Sequence, residues 1–333
     1  MGLVIPNIYS VSTNMNPPST VADDTRHLRD VLFSHPAIYD EITRRRVLRP
    51  LFDVVFDWAI IAATVVSQHL VGLLCVPLAI LVIGNRQRAL GNVLHDAAHR
   101  NLSRSARLND LIASALVTPA LFVNLTAYRD THARHHAWLG DARRDPDYID
   151  PKSVGASTWW RTYYRCVTTP SIWRSSVFGH LLRFDRTPTR SARLREHATI
   201  AVWWVVLLGS LSLAVNIQFA IQFVALWMVS KATTFHCITT FREMCDHYQL
   251  RPGGVFSFTR DIRTSSPWQW ALHPHNNGYH LTHHLLPSIP YYQLPKAHAF
   301  FRSLWFYSER ASICPGYFCG PDAVVRGWIS SER

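Results

Sequence analysis

Long apolar runs occur in only a few places along this chain. From about Val54 to Gly84 the sequence is predominantly apolar, interrupted by Ser67-Gln68-His69 near the middle. A membrane-spanning helix needs about twenty residues, so this run is too long for one span and fits a helical hairpin with a tight, uncharged turn near Gln68. Its helices are expected at about 54–69 and 70–90, the second continuing through "NRQRALGNVLHDAAH" into water. The next apolar stretch, "LNDLIASALVTPALFVNLTAY" (108–128), carries Asn109, Asp110, Pro119 and Asn124. It is too broken to cross and return, and reads as a re-entrant or interfacial helix pair buried against protein. Two further runs, 198–215 and 217–235, meet at Asn216 without an intervening charge and form a second hairpin. Nothing after Phe235 spans. The fold expected is an all-α membrane protein: four transmembrane helices in two hairpins, a re-entrant segment and a helical cap.

Charge sets the orientation. Neither hairpin turn carries lysine or arginine, whereas the arginine clusters at 44–49, 86–107, 129–195 and 242–263 all fall on the other side. The positive-inside rule then places both termini and every long polar segment in the cytoplasm. The division expected is an N-terminal tail and interfacial segment (1–50), a membrane domain (51–300) and a cytoplasmic C-terminal tail (301–333). The first twenty residues lack the basic and apolar regions of a signal peptide and do not match a myristoylation site.

Composition adds little to this outline. Of 333 residues, 48% are apolar and 17% charged, below the usual quarter for soluble domains. The net charge of +12 comes almost wholly from arginine, with lysine only at Lys152, Lys231 and Lys296. The arginines are dispersed and flank apolar runs, which suits anionic lipid headgroups rather than nucleic acid, and they point to a negatively charged substrate headgroup. The stretch "TWWRTYYRCVTTPSIWR" (158–174) mixes aromatic and basic residues as interfacial segments do. Cys75, Cys166, Cys237, Cys245, Cys314 and Cys319 form no CxxC pair and are expected as reduced thiols.

The chemistry lies in the histidines. Nine of the eighteen are patterned: His95 and His99 in "HDAAH", His132, His135 and His136 in "HARHH", His280, His283 and His284 in "HLTHH", and His247 closing "FREMCDH". Positions i, i+3 and i+4 share one helix face, so each box directs its imidazoles to one side. The hydropathy pattern puts an even number of crossings between successive boxes, so all nine reach the same membrane face. Imidazole suits zinc, iron, copper or nickel, and nine ligands exceed the three or four that one tetrahedral zinc takes. Two metals fit the count better.

With "HARHHAWLGDARRDPD" and "NNGYHLTHHLLPSIPYYQLPKAH", the three boxes resemble the membrane-bound fatty acid desaturase and hydroxylase superfamily over roughly residues 50–300. That resemblance implies a non-haem centre of two iron ions, which uses O2 and two electrons to attack an unactivated C–H bond of an acyl or alkyl chain. It implies that the eight box histidines are ligands and that His247 matches the family's additional ligand. Glu243, one turn before His247, is a candidate to accept that ring's second proton, and Asp96, Asp145 and Asp147 are candidates for the same task in the other boxes. Asn276 and Asn277 are candidates to bond a metal-bound water. His27, His35, His69, His180, His197 and His236 read as bystanders, and His273, His275 and His298 as structural or supporting groups. An apolar tunnel is expected beside residues 158–173. No electron-carrier domain is evident: "RPGG" (251–254) has arginine where cytochrome b5 has its haem histidine. The expected donor is a ferredoxin or a cytochrome b5-like protein with its reductase. Desaturation and hydroxylation both remain open, with a histidine-rich metal transporter and a zinc hydrolase as rivals from other classes.

Overall fold

The structure is a computed structural model that describes residues 20–179 and 190–329. The reading of the extreme N-terminus and of His180 falls outside these residues. Two short helices, α1 (Val21–Phe33) and α2 (Pro36–Ile42), precede a hairpin of two long ones, α3 (Leu48–Val71) and α4 (Val76–Ala98). Then follow α5 (Ala106–Leu116), α6 (Leu125–Ala137) and the shorter α7 (Pro151–Val154), α8 (Trp159–Val167) and α9 (Pro170–Phe178). The second hairpin comprises α10 (Arg190–Ala214) and α11 (Ile217–Ser230), and a wider π turn, Lys231–Phe235, leads into α12 (His236–His247). Beyond it lie α13 (Val255–Phe258), α14 (Trp268–Leu272), α15 (His280–Leu285), α16 (Leu294–Phe301) and α17 (Trp305–Arg310).

Three helical stretches among the described residues are long and apolar enough to cross a membrane: Leu48–Val71, Leu73–Ala98 and Leu194–Ala214. The third buries only 6% of its apolar window in protein, so its valines and leucines face outward, where a bilayer would cover them. The fourth expected stretch, 217–235, is a 14-residue helix plus the π turn. Asn216 caps it, its side-chain oxygen accepting the Phe219 N–H at 2.8 Å.

The first hairpin turns at Gly72, not at Gln68. Gly72 has a φ of +93°, which a residue with a Cβ adopts only with strain. Gln68 and His69 stay helical because they have polar partners across the bundle. His69 Nδ1 lies 2.8 Å from Gln222 Oε1 on α11, and the Gln222 amide donates to Gln68. The interruption in the apolar run is thus a polar seam between helices.

The segment between α5 and α6 is buried without being helical: Val117, Thr118, Ala120, Leu121 and Phe122 are all shielded. The carbonyls of this segment and of the last turn of α5 need donors in a place water does not reach. Four indoles supply them. Trp58 donates to Leu116 at 2.9 Å, Trp203 to Ala115 at 2.8 Å, Trp204 to Pro119 at 3.2 Å and Trp227 to Ala120 at 3.1 Å. Trp227 is fully buried, so Trp227→Phe should keep most of the packing and orphan one carbonyl, at a cost of about 1–3 kcal/mol. Thermal unfolding of the purified protein in detergent reads this as a lower midpoint; an unchanged midpoint would refute the carbonyl-capping account.

The remaining helices cover the polar ends of these long ones. Asn85 and Asn92 of α4 donate to the carbonyls of Ala271 and Pro274 at 2.7 and 2.6 Å, and His275 Nε2 lies 2.8 Å from Asp57 Oδ2 on α3. Helix α1 is also part of this layer, burying Leu28 and Leu32 in one cluster with Leu281 and Leu285. Residues 301–329, expected as a tail, pack onto the layer instead. Phe301, Tyr307 and Trp328 are fully buried, and Ile313–Cys314 pairs in parallel with Asp261–Ile262. All six cysteines are unpaired.

Candidate metal centre

Four chain segments deliver the nine patterned histidines to one place. His95 sits in the last turn of α4 and His99 just past its end. His132, His135 and His136 lie on α6, which starts where the Asn124 side chain accepts the Ala127 N–H at 2.9 Å. His247 ends α12, and His280, His283 and His284 line α15.

The rings divide into two groups. His95, His99, His132, His136 and His283 form the first; His135, His247, His280 and His284 form the second. In the first, Nε2 of His132 lies 2.9 Å from that of His99 and 3.0 Å from that of His136, which is 3.2 Å from that of His283. In the second, Nε2 of His280 lies 2.8 Å from that of His247 and 2.9 Å from that of His284. The groups adjoin, the His136 and His284 rings stacking at 4.1 Å.

So many imidazole nitrogens facing one another have too few protons to share. Nε2 of His95 is buried with no partner. Ligand nitrogens about 2.0–2.1 Å from one ion and at right angles to each other would be separated by roughly 3 Å, which is the spacing found here. Burial also keeps the rings unprotonated: it pushes His132, His136, His280, His283 and His284 well below the ordinary histidine value and His99 to about 3. His135 differs. Burial lowers it too, but the hydrogen bond to Asp145, with the charges of Asp147 and Asp145, brings it to about 9. The donor set therefore fits two ions of a metal that accepts imidazole.

The outward nitrogens are held in turn. His135 Nδ1 lies 2.8 Å from Asp145 Oδ1, and Asp145 accepts the N–H groups of Gly140 and Asp147 at 2.8 and 2.9 Å. Gly140 has a φ of +79°, and a Cβ there would meet the Phe258 ring at 2.9 Å. Asp147 itself stands 4.0 Å from His135 Nδ1. The Nδ1 of His247 takes the Phe258 carbonyl at 2.9 Å, not the Glu243 carboxylate expected for it. Glu243 lies on the other side, 3.8 Å from the inward-facing Nε2, and accepts from Arg242. Asp96 accepts from Asn101 at 3.2 Å, and Asn101 donates to the carbonyls of Pro287 and Ile289, so this pair joins the first box to the proline tail of the third. Asn276 donates to Tyr291 O and Asn277 accepts from Arg242.

Two carboxylates escaped the sequence reading. Asp246 is fully buried, with Oδ2 2.9 Å from Arg242 Nη1 and 3.6 Å from His280 Nδ1, and Oδ1 3.4 Å from His273 Nε2. Asp261 bonds Thr282 between the third-box histidines at 2.7 Å, with Tyr307 and His298 each at 2.9 Å. Position next to His247 was a signal for Asp246; Asp261 stands far from any box in the chain. Of the remaining histidines, His236 contacts Ser176 and the Val167 carbonyl, and His273 contacts Tyr317 at 2.8 Å.

A cleft of about 470 Å³ opens beside the first group. His132 and Glu243 stand at its histidine end, and Tyr128, Phe235, Ile172 and Ser176 are among its walls. Helix α9 thus places part of the aromatic segment against it.

The Fatty acid desaturase family model matches residues 67–310. The dihydrorhizobitoxine desaturase of Bradyrhizobium elkanii is 29% identical over 72% of this chain and 72% of its own length. The sn-1 oleoyl-lipid 12-desaturase of Synechocystis sp. is 23% identical over 92% of this chain and 89% of its own. An sn-1 acyl-lipid omega-3 desaturase (ferredoxin) of Nostoc sp. is 24% identical over 86% and 85%. All the box histidines lie inside the matched region, and this chain belongs to the fatty acid desaturase family, a family of oxidoreductases.

Proposed function

We propose that the protein is a membrane-bound oxidoreductase with two non-haem iron ions that removes two hydrogens from an acyl chain, with O2 as co-substrate. The convergence of nine imidazoles, seven of them buried, in two adjoining groups beside a cleft carries this reading. The ligands proposed are His95, His99, His132, His136 and His283 for one ion, and His135, His247, His280 and His284 for the other. When bound, the two irons would supply the O2 chemistry that breaks an unactivated C–H bond. Two electrons and two protons from outside complete the balance, so that one O2 leaves as two waters.

The chain's own part is to position and to exclude. Asp145 and the Phe258 carbonyl hold Nδ1 of His135 and His247, which turns each Nε2 inward. The layer of short helices keeps the histidines almost out of water, so the oxidising equivalent is not lost to solvent. In the proposed topology 217–235 is a fourth span, both termini and the histidines are cytoplasmic, and residues 51–300 form the membrane domain. Electrons come from a separate protein; the name of the Nostoc relative favours a ferredoxin.

Expression in a host with a compatible reductase, followed by mass spectrometry of lipids and acids, tests the reading. A product lighter by two mass units is expected. A gain of sixteen would make the protein a hydroxylase on the same scaffold. Close to one zinc and no iron in protein from iron-replete cells would defeat it.

A further inference from the structure

Two buried cations line the cleft without counter-ions. Lys231 is 1% exposed and Arg88 7%, and neither forms an ion pair among the described residues. Lys231 Nζ donates to the Ser176 carbonyl at 3.2 Å and sits 4.1 Å from the Phe235 ring centre. The Phe122 ring lies farther off, at 5.9 Å; an ammonium group has three protons to place, and one carbonyl with two ring faces leaves it short of hydrogen-bond acceptors. Arg88 donates to Asn92 one turn along α4, and its Nε has no partner. The third cation of the cleft, Arg242, is already matched by Asp246 and Glu243. Buried charges are normally paired, and Glu243, a carboxylate of the cleft, is already taken up by Arg242, so Lys231 and Arg88 lack a contacting anion of their own.

The backbone points the same way. Lys231 opens the π turn between α11 and α12, and such turns inside helices recur at functional sites. An ionisable group at the end of an apolar helical stretch is itself a mark of a binding path. From these observations we infer that Lys231 and Arg88 hold the carboxylate of a free, unesterified acid, whose carbon chain extends along the cleft to His132. The planar guanidinium and the ammonium both match a carboxylate. An esterified acyl lipid presents a neutral carbonyl there and leaves both cations unpaired. The inference rests on the proposed metal centre only for which carbons react, not for what binds.

Direct binding to the purified full-length protein in detergent tests this, using radiolabelled dodecanoate with methyl dodecanoate and lysophosphatidate as competitors. Dodecanoate should bind at least tenfold more tightly than its methyl ester. Lys231→Met should erase that preference and Lys231→Arg should keep most of it; Arg88→Met provides the same comparison should Lys231→Met not fold. Equal binding of acid and ester, or unchanged preference in the charge-removing variants, overturns the inference. Displacement by lysophosphatidate at far lower concentration than by dodecanoate overturns the assignment to a free acid. Iron is measured on the same samples. Acid selectivity in protein that never takes up iron refutes the metal reading and spares this one, whereas two irons without selectivity does the reverse.

Discussion

His283→Ala should abolish turnover, with an expected loss on the order of 100-fold or more, since even groups behind the ligands are worth 10–100-fold. His283 is 2% exposed, and its ring centre lies 4.4 Å from that of His95, 4.8 Å from that of His99 and 5.0 Å from that of His136. It is the only third-box histidine in the five-membered group. Alanine there leaves four imidazoles on two helices that no longer close around the site. Iron content should fall from about two to about one per chain, because metal binding and closure of the site are linked. The second group, which shares only ring contacts with His283, should retain its ion. His27→Ala, at an exposed position far along the chain from every box, should change neither number. Near-normal iron and turnover in His283→Ala would remove the basis for the two-group assignment.

Much of this arrangement was legible because its signals are periodic or compositional. HxxxH and HxxHH set ring directions by helix geometry alone, and the nine rings do meet. Apolar length marked both hairpins, and Asn216 marked one turn. The other turn was misplaced because a polar residue in an apolar run has two explanations: it ends the helix, or it finds a partner. Gln68 and His69 find Gln222, a contact between positions 153 and 154 residues apart in sequence. The same limit applies to the carbonyls of 115–120, whose donors Trp58, Trp203, Trp204 and Trp227 come from three separate helices. Tyr307 and Trp328 looked like part of a tail because nothing local shows that Tyr307 donates to Asp261 or that the Trp328 carbonyl accepts from Thr162. Supporting groups behind ligands are the hardest to read, since a backbone carbonyl such as that of Phe258 has no sequence signature at all.

Asp246→Asn should release the second ion selectively. The carboxylate is fully buried between Arg242, His273 and His280. Nδ1 of His280 has no hydrogen-bond partner, and the Asp246 carboxylate stands 3.6 Å from it, so the charge of Asp246 favours a proton there and leaves Nε2 free to face His247 and His284. A carboxylate behind an imidazole also makes it a stronger donor to a metal. Asparagine keeps the shape and loses the charge. The affinity of the four-histidine group should drop about 10–100-fold, and stability by up to about 3–5 kcal/mol, since breaking a buried ion pair strands its partner. Glu243 still accepts from Arg242, which holds the stability cost towards the lower end. Titration with an iron chelator reads the outcome. The variant should give up one iron well before the other, and Asp145→Asn, which weakens His135 in the same group, should show the same early step. His283→Ala removes the opposite ion, so the two kinds of variant divide the iron between the groups. If Asp246→Asn holds both irons as firmly as the parent protein, Asp246 supports the fold alone and not the ligand.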